Sequence, residues 1–212
     1  MLHEATLPQI NNGLAYFCGL ILGDGCLPRA HSLRPNGKSQ KRYIISFYCA
    51  SSEFLKKIYQ PLFIDLFGIK PKIYIHRVYK KAIVYNARIE SKIIYQFLET
   101  IGLTIGRKAR IAKIPKALLN YKLHFLAGLL DTDGGKKGSG FGLSTASGNL
   151  ALFCSKTFKE LNLSHHSCPW RYNGHIYHQI YVHRRDLQKI LMHIPLKHKD
   201  KINFIKNFAS VA

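Results

Sequence analysis

The chain has 212 residues, 47% of them apolar, which is enough to bury a sizeable core and too much for a disordered chain. Lysine and arginine number 32 against 11 aspartates and glutamates, a formal net charge of +21 that points to a polyanionic partner. No apolar run is long enough to span a bilayer, no secretory signal opens the chain, and the basic residues are dispersed rather than gathered on one amphipathic helix; nucleic acid is therefore a better partner than a membrane. The 5 cysteines are odd in number and contain no C-x-x-C pair. They read as reduced thiols in an intracellular setting, a cytoplasm or organelle matrix, and not as a zinc site or a secreted disulfide framework.

In chain order, a short lead-in with Pro8 and Asn11-Asn12 precedes an apolar helix over Leu14–Asp24, with Asn12 as its N-cap. Cys26–Arg34 and Arg42–Cys49 flank a polar loop containing Asn36-Gly37 and should pair antiparallel. Ser51 or Ser52 caps a helix from Glu53 to about Phe67, kinked by Pro61 and ended by Gly68. Lys72–Tyr79 and Ala82–Glu90 alternate and form a hairpin across Lys80-Lys81, and Lys92–Ile101 is a closing helix. Gly102–Tyr121 is a linker with Arg107, Lys108, Arg110, Lys113 and Lys116 and no acid; it is either a solvated connection or a phosphate contact.

The same order then recurs. An apolar helix ends Leu130-Asp131-Thr132-Asp133-Gly134, a glycine-rich segment runs from Gly135 to Ser144, and Ser147 starts a helix to about Leu161. His165–Tyr172 and His175–Arg184 form a hairpin across Asn173-Gly174, Asp186–Ile194 closes the unit, and Lys197–Phe208 is a tail helix. Each unit reads αββαββα. The expected architecture is α+β, two tandem halves about a pseudo-twofold axis with the apolar helices at the interface. The halves span 1–101 and 122–212, joined by 102–121.

Those two helices hold the chemistry. Gly19 matches Gly128, Asp24 matches Asp133, and Gly25 matches Gly134. Gly134 reads as a helix-ending residue of positive φ. A carboxylate at a helix C-terminus meets the negative end of the macrodipole and needs a compensating cation. Parallel packing brings both acids to one end, where like charges raise a pKa. A divalent cation resolves the conflict; oxygen ligands suit magnesium, and such paired acids hydrolyse phosphodiesters.

At these residues the chain resembles the LAGLIDADG homing endonucleases: Leu126–Gly134 reads LAGLLDTDG and Phe17–Gly25 reads FCGLILGDG. Two copies in one chain are similar to the family's monomeric branch. The resemblance implies two antiparallel sheets forming a saddle on the DNA major groove. It also implies a magnesium-dependent double-strand break with short 3′ overhangs in a long, pseudo-asymmetric site, serving intron mobility. Manganese should substitute, and calcium should support binding without cleavage. Asp24 and Asp133 are then the catalytic metal ligands, the carbonyls of Gly23 and Thr132 resemble the family's supplementary ligands, and Lys136 resembles its basic residue beside the scissile phosphate. Asp131 reads as structural, since its counterpart is Leu22 and it sits about 200° round the helix from Asp133.

Strand alternation supplies the DNA-reading face. With Ile73, Ile75, Ile83, Tyr85, Ala87 and Ile89 inward, Lys72, Tyr74, His76, Asn86 and Arg88 point outward. With Ile176, Ile180 and Val182 inward, Gln179, Tyr181 and His183 point outward, joined by Arg171; Arg42, Ser46 and Tyr48 are the matching set in the first hairpin, and Lys137 is either a substitute for Lys136 or a plain phosphate contact. Such side chains can bond base edges. Two other classes remain open: an intron maturase whose partner is structured RNA, and a DNA-binding protein of this fold that does not cut.

Overall fold

A computed structural model describes residues 5–80 and 82–210. Helix α1 (Asn12–Leu22) is followed by strands β1 (Gly25–Cys26), β2 (Ala30–Leu33), β3 (Ser39–Arg42) and β4 (Ile44–Cys49). Then come a continuous helical run, α2 (Ser52–Phe54), a π turn (Leu55–Tyr59) and α3 (Gln60–Phe67), the hairpin β5 (Lys72–Tyr79) and β6 (Ala82–Glu90), and α4 (Lys92–Thr100). A 3-10 turn (Lys116–Tyr121) leads into α5 (Lys122–Asp133), β7 (Gly135–Lys137), β8 (Gly140–Thr145), α6 (Gly148–Glu160), β9 (His165–Tyr172), β10 (His175–His183), α7 (Leu187–His193) and α8 (Lys199–Ser210). The two antiparallel sheets have matching orders, β1-β4-β6-β5 and β7-β8-β10-β9; the β2–β3 arm is a separate two-stranded sheet carried by the first half. Lys81, half of the expected β5–β6 turn, lies outside the described residues.

The repeat extends to the caps. Ser51 Oγ accepts from the Phe54 N–H (3.1 Å) and Ser147 Oγ from the Leu150 N–H (3.2 Å), so each half starts its middle helix alike. The cap of α1 is Asn11 rather than Asn12: the Asn11 Oδ1 accepts from the Leu14 N–H at 2.9 Å. Pro61 produces no break. The chain widens just before it into the π turn, whose last bond runs from the Gln60 N–H to the Leu55 carbonyl, and this loosening accommodates a residue that has no N–H to offer.

Every residue from Leu14 to Leu22 in α1 and from Phe125 to Asp131 in α5 is buried, as expected for helices clothed on all sides. Their contact is built on glycine. A Cβ on Gly19 would stand 2.2 Å from the Phe125 carbonyl oxygen, and one on Gly128 would stand 2.3 Å from that of Tyr16. The backbones therefore touch, each glycine facing the other helix reciprocally. Around this axis the first half packs Phe17 against Phe63 and Phe67, with Phe47 stacked on Tyr59 at 4.5 Å; the second packs Phe125 against Phe153.

Gly134 departs from expectation. Its φ is −68°, so it is not a left-handed cap. Glycine is needed there for space, because a Cβ would lie 2.1 Å from the Leu130 carbonyl oxygen and 2.8 Å from the Phe141 ring. Gly25 is similar, with Ile21 Cα at 2.7 Å from its missing Cβ.

Candidate nucleic-acid interface and acidic centre

The helix pair delivers Asp24 and Asp133 to the same end of the molecule. Both carboxylates open to solvent, yet protein crowds their other sides. That crowding raises both pKa values; the Asp24 charge pushes Asp133 further, to about 6. Lys108 and Lys201 act in the opposite direction on both acids, and Lys137 also does so on Asp133.

Lys108 is the residue sequence reasoning missed. Its linker is not a free tether. The Gly106 N–H bonds the Leu27 carbonyl (2.8 Å) and the Ser147 hydroxyl bonds the Ala112 carbonyl (2.5 Å), which ties the segment to both halves. Between these ties the Lys108 Nζ donates to the carbonyls of Ile21 (2.6 Å), Leu22 (2.7 Å) and Gly23 (2.5 Å). An ammonium thus caps the negative end of α1 beside Asp24. Burial lowers its pKa to about 8, against the pull of Asp133, Cys26 and Asp24. In the second half, Lys201 of α8 donates to the Gly134 carbonyl just beyond α5. The cation each helix end requires is supplied first by the protein. One consequence touches the expected metal ligands: the Gly23 carbonyl is already a lysine acceptor. Thr132 contributes packing as well, its hydroxyl bonding the Gly128 and Leu129 carbonyls at 3.0 Å each and filling the space against Gly23.

Lys136 lies on the acidic centre's side of β7. It pairs across β7–β8 with the buried Phe141, so it leaves the strand on the helix side, and its Nζ lies 5.5 Å over the Phe208 ring. It lines a cavity of about 680 Å³ that reaches Asp24, Thr132 and Lys201. Lys137 pairs with Gly140, which pairs with His183, and so joins the opposite face.

That face runs away from the helices. In the first sheet Cys26, Ser46, Arg88 and Lys72 form one row and Tyr48, Asn86 and Tyr74 the next. Of these, Lys72, Tyr74, Asn86 and Arg88 line a groove of about 660 Å³ together with His76; Ser46 and Asn86 are buried. Arg42 is held by Glu90 in a two-pronged ion pair, and is not a free cation. A bulge between Ile75 and Arg77 shifts the alternation, so that Arg77 and Tyr79 join Val84 on this face. In the second sheet Gln179 pairs with Cys168, Tyr181 with His166 and Tyr177 with Trp170, the last two stacked at 5.4 Å. Arg171 does not belong with them. It pairs with Ile176, which shares the parity of Ile180 and Val182, and so lies on the other face. Ile75, Ile83 and Ile176, expected inside, are exposed. His165 uses both ring nitrogens locally, toward Ser155 (2.8 Å) and the Leu163 carbonyl (3.0 Å), and no cluster of metal-ligating residues appears among the described residues.

Residues 12–102 match the family model of a LAGLIDADG-like domain. Among solved structures, mesophilic variants of the homing endonuclease I-DmoI superpose with a TM-score of 0.65 at 21% identity, covering 93% of this chain and 98% of that one. I-DmoI in complex with DNA and calcium gives 0.62 at 21% identity over 93% and 98% of the two chains. The LAGLIDADG meganuclease I-AabMI bound to uncleaved DNA gives 0.57 at 15% identity over 95% and 90%. The chain has the LAGLIDADG homing-endonuclease fold. The glycine-packed helices are that fold's two motif helices, here both in one chain.

Proposed function

We propose that this protein is a sequence-specific DNA endonuclease that hydrolyses one phosphodiester on each strand of a long, asymmetric duplex site, leaving short 3′ overhangs and serving the mobility of its own intron. The observation that carries the reading is the convergence of Asp24 and Asp133 at one end of the helix pair, between two sheets whose open faces are basic and aromatic. Structures of I-DmoI with DNA and manganese or calcium support a divalent metal. The acids fit one: they are hard oxygen donors, open to solvent, mutually repelling, and aligned by helices that cannot slide. Asp24 and Asp133 would hold it, with the Thr132 carbonyl; when bound it supplies an activated water and neutralises phosphate charge. Magnesium is the working ion in this reading, with manganese substituting and calcium supporting binding alone.

The chain's own groups do the rest. Lys108 and Lys201 hold positive charge beside the acids, where the pentacoordinate phosphorane develops negative charge. The sheet faces grip phosphates through Lys72, Arg88 and Lys137 and present Asn86, Gln179 and Arg77 to base edges. The protein acts as a monomer, since one chain holds both motif helices.

The test is a plasmid-cleavage series. Asp24→Asn and Asp133→Asn should each lose at least ~10³ in double-strand cleavage, about 4 kcal/mol of transition-state stabilisation, while calcium-supported binding survives. Wild-type protein that binds its best duplex site and never cuts it in magnesium or manganese would leave a binding protein. Preference for folded intron RNA over duplex would favour a maturase.

A further inference from the structure

Asp131 lies on the motif helix but faces away from the acidic centre. It is 2% exposed, and its Oδ2 accepts two hydrogen bonds, from the Tyr16 hydroxyl of α1 (2.6 Å) and from the backbone N–H of Lys197 (2.7 Å). The Lys197 Nζ in turn sits 4.7 Å over the Tyr16 ring. The next residue, His198, stacks its ring on Phe54 at 4.8 Å. One buried carboxylate therefore fixes both motif helices to the short segment that launches α8, and the first turn of α8 carries Lys201. A charged acceptor makes such bonds strong, and the low-dielectric surroundings make them directional.

Among its described residues the first half has no such device. Leu22 stands where Asp131 would. Lys108 is located by its own bonds to three successive carbonyls. Among the described residues Lys201 is hydrogen-bonded to the Gly134 carbonyl alone, so its placement depends on where α8 begins.

We infer that Asp131 is a positioning residue for Lys201 and not for Lys108, locking the start of α8 to the helix pair so that Lys201 is held at the acidic centre. The inference builds on the endonuclease reading. It assigns the Asp131 side chain to one of the two lysines, and through it to one of the two strand cleavages.

Two measurements test it. The first is the ¹⁵N–¹H spectrum of lysine ammonium groups in the full chain, where hydrogen-bonded, shielded ammonium protons exchange slowly enough to be seen. Lys108→Met and Lys201→Met assign the two signals. Asp131→Leu, and the near-isosteric Asp131→Asn should the first fail to fold, should erase the Lys201 signal and leave that of Lys108. Persistence of the Lys201 signal, or loss of both together, overturns the inference. The second is cleavage of a duplex labelled on each strand. Asp131→Asn and Lys201→Met should slow the same strand, Lys201→Met by ~10²-fold as for other preorganised charges, and the double variant should be no slower than Lys201→Met alone. Equal slowing of both strands, or additive losses, overturns it. Wild-type protein that does not cut refutes the endonuclease, while the ammonium spectrum still decides the role of Asp131.

Discussion

Gly19→Ala tests the axis of the molecule. The added methyl would stand 2.2 Å from the Phe125 carbonyl oxygen, 3.0 Å from Gly128 Cα and 3.1 Å from the Leu129 nitrogen, all backbone atoms that no rotamer change can move. Ordinary contact begins near 3.4 Å, so the helices must part by roughly 1 Å or tilt. Overpacking of a tight core costs about 1–3 kcal/mol, and rigid backbone on the other side places this substitution at the upper end. For a domain of this size that lowers Tm by roughly 5–10 °C. The same displacement moves Asp24 relative to Asp133, and a 1 Å misplacement is enough to lower a reaction rate by ~10². Gly148→Ala is the control. It opens α6, its Cβ would meet only His178 Nε2 at 3.6 Å, and it should be neutral or stabilise by up to ~1 kcal/mol. Urea unfolding and plasmid cleavage of both variants decide the matter. A Gly19→Ala protein as stable and active as wild type, or a Gly148→Ala protein equally damaged, would show that the helices are not held at glycine contact.

Lys108→Met keeps the side-chain length but removes the charge that lowers the pKa of both acids. Cleavage should fall by ~10² at neutral pH, and the acid limb of its pH–rate profile should move to higher pH; an unmoved limb would separate Lys108 from the acids. Asp133 gives a second pH effect. Its folded pKa, about 6, lies above the ordinary 3.8, so between these values the native state binds the extra proton and metal-free stability should fall as pH rises through the window. Stabilisation by calcium has the opposite dependence, since it requires the carboxylate and should fade as pH drops below about 6; denaturation with and without calcium at pH 4.5 and 7.5 reads both. Duplex binding should weaken steeply with salt, with a log–log slope equivalent to at least ~6 phosphates; a slope worth one or two would contradict a saddle engaged on both sheets.

The strands of the second hairpin, Lys72–Tyr79 and Ala82–Glu90, occupy the bounds their alternation predicts, and a serine start to each middle helix was legible, with Ser51 and not Ser52 the cap in the first. These features are local: a period, a turn signal or a hydroxyl ahead of an apolar run. Gly19 and Gly128 could be paired because the repeat aligned them. What alternation could not supply was what lay behind each strand. Ile75 and Ile176 have the parity of inward residues but are exposed. Arg171 was placed without a register, and one residue of slip changes its face. The bulge that redirects Arg77 leaves no mark in composition. The acids were readable because they close a repeated motif. Lys108 and Lys201 were not, since each comes from a segment remote in sequence and meets its helix end only after folding. The electrostatic need for a cation was nonetheless visible at once, and the protein meets it with lysines before any metal is considered.

Covalent bridges between fused repeats usually tolerate insertion, because their role ends at holding two bodies close. Here the stretch around Lys108 is bonded to Leu27 on one side and to Ser147 on the other, and an ammonium group from its middle closes the end of α1. It behaves as a keystone whose span is set by the bodies it separates. Residues added at the tip of the β2–β3 arm, beyond Gly37, would lengthen a protrusion; the same residues added beside Lys108 would withdraw a charge from the acidic centre. Swapping halves between relatives of this fold is then a matter of transplanting the bridge together with the helix it caps.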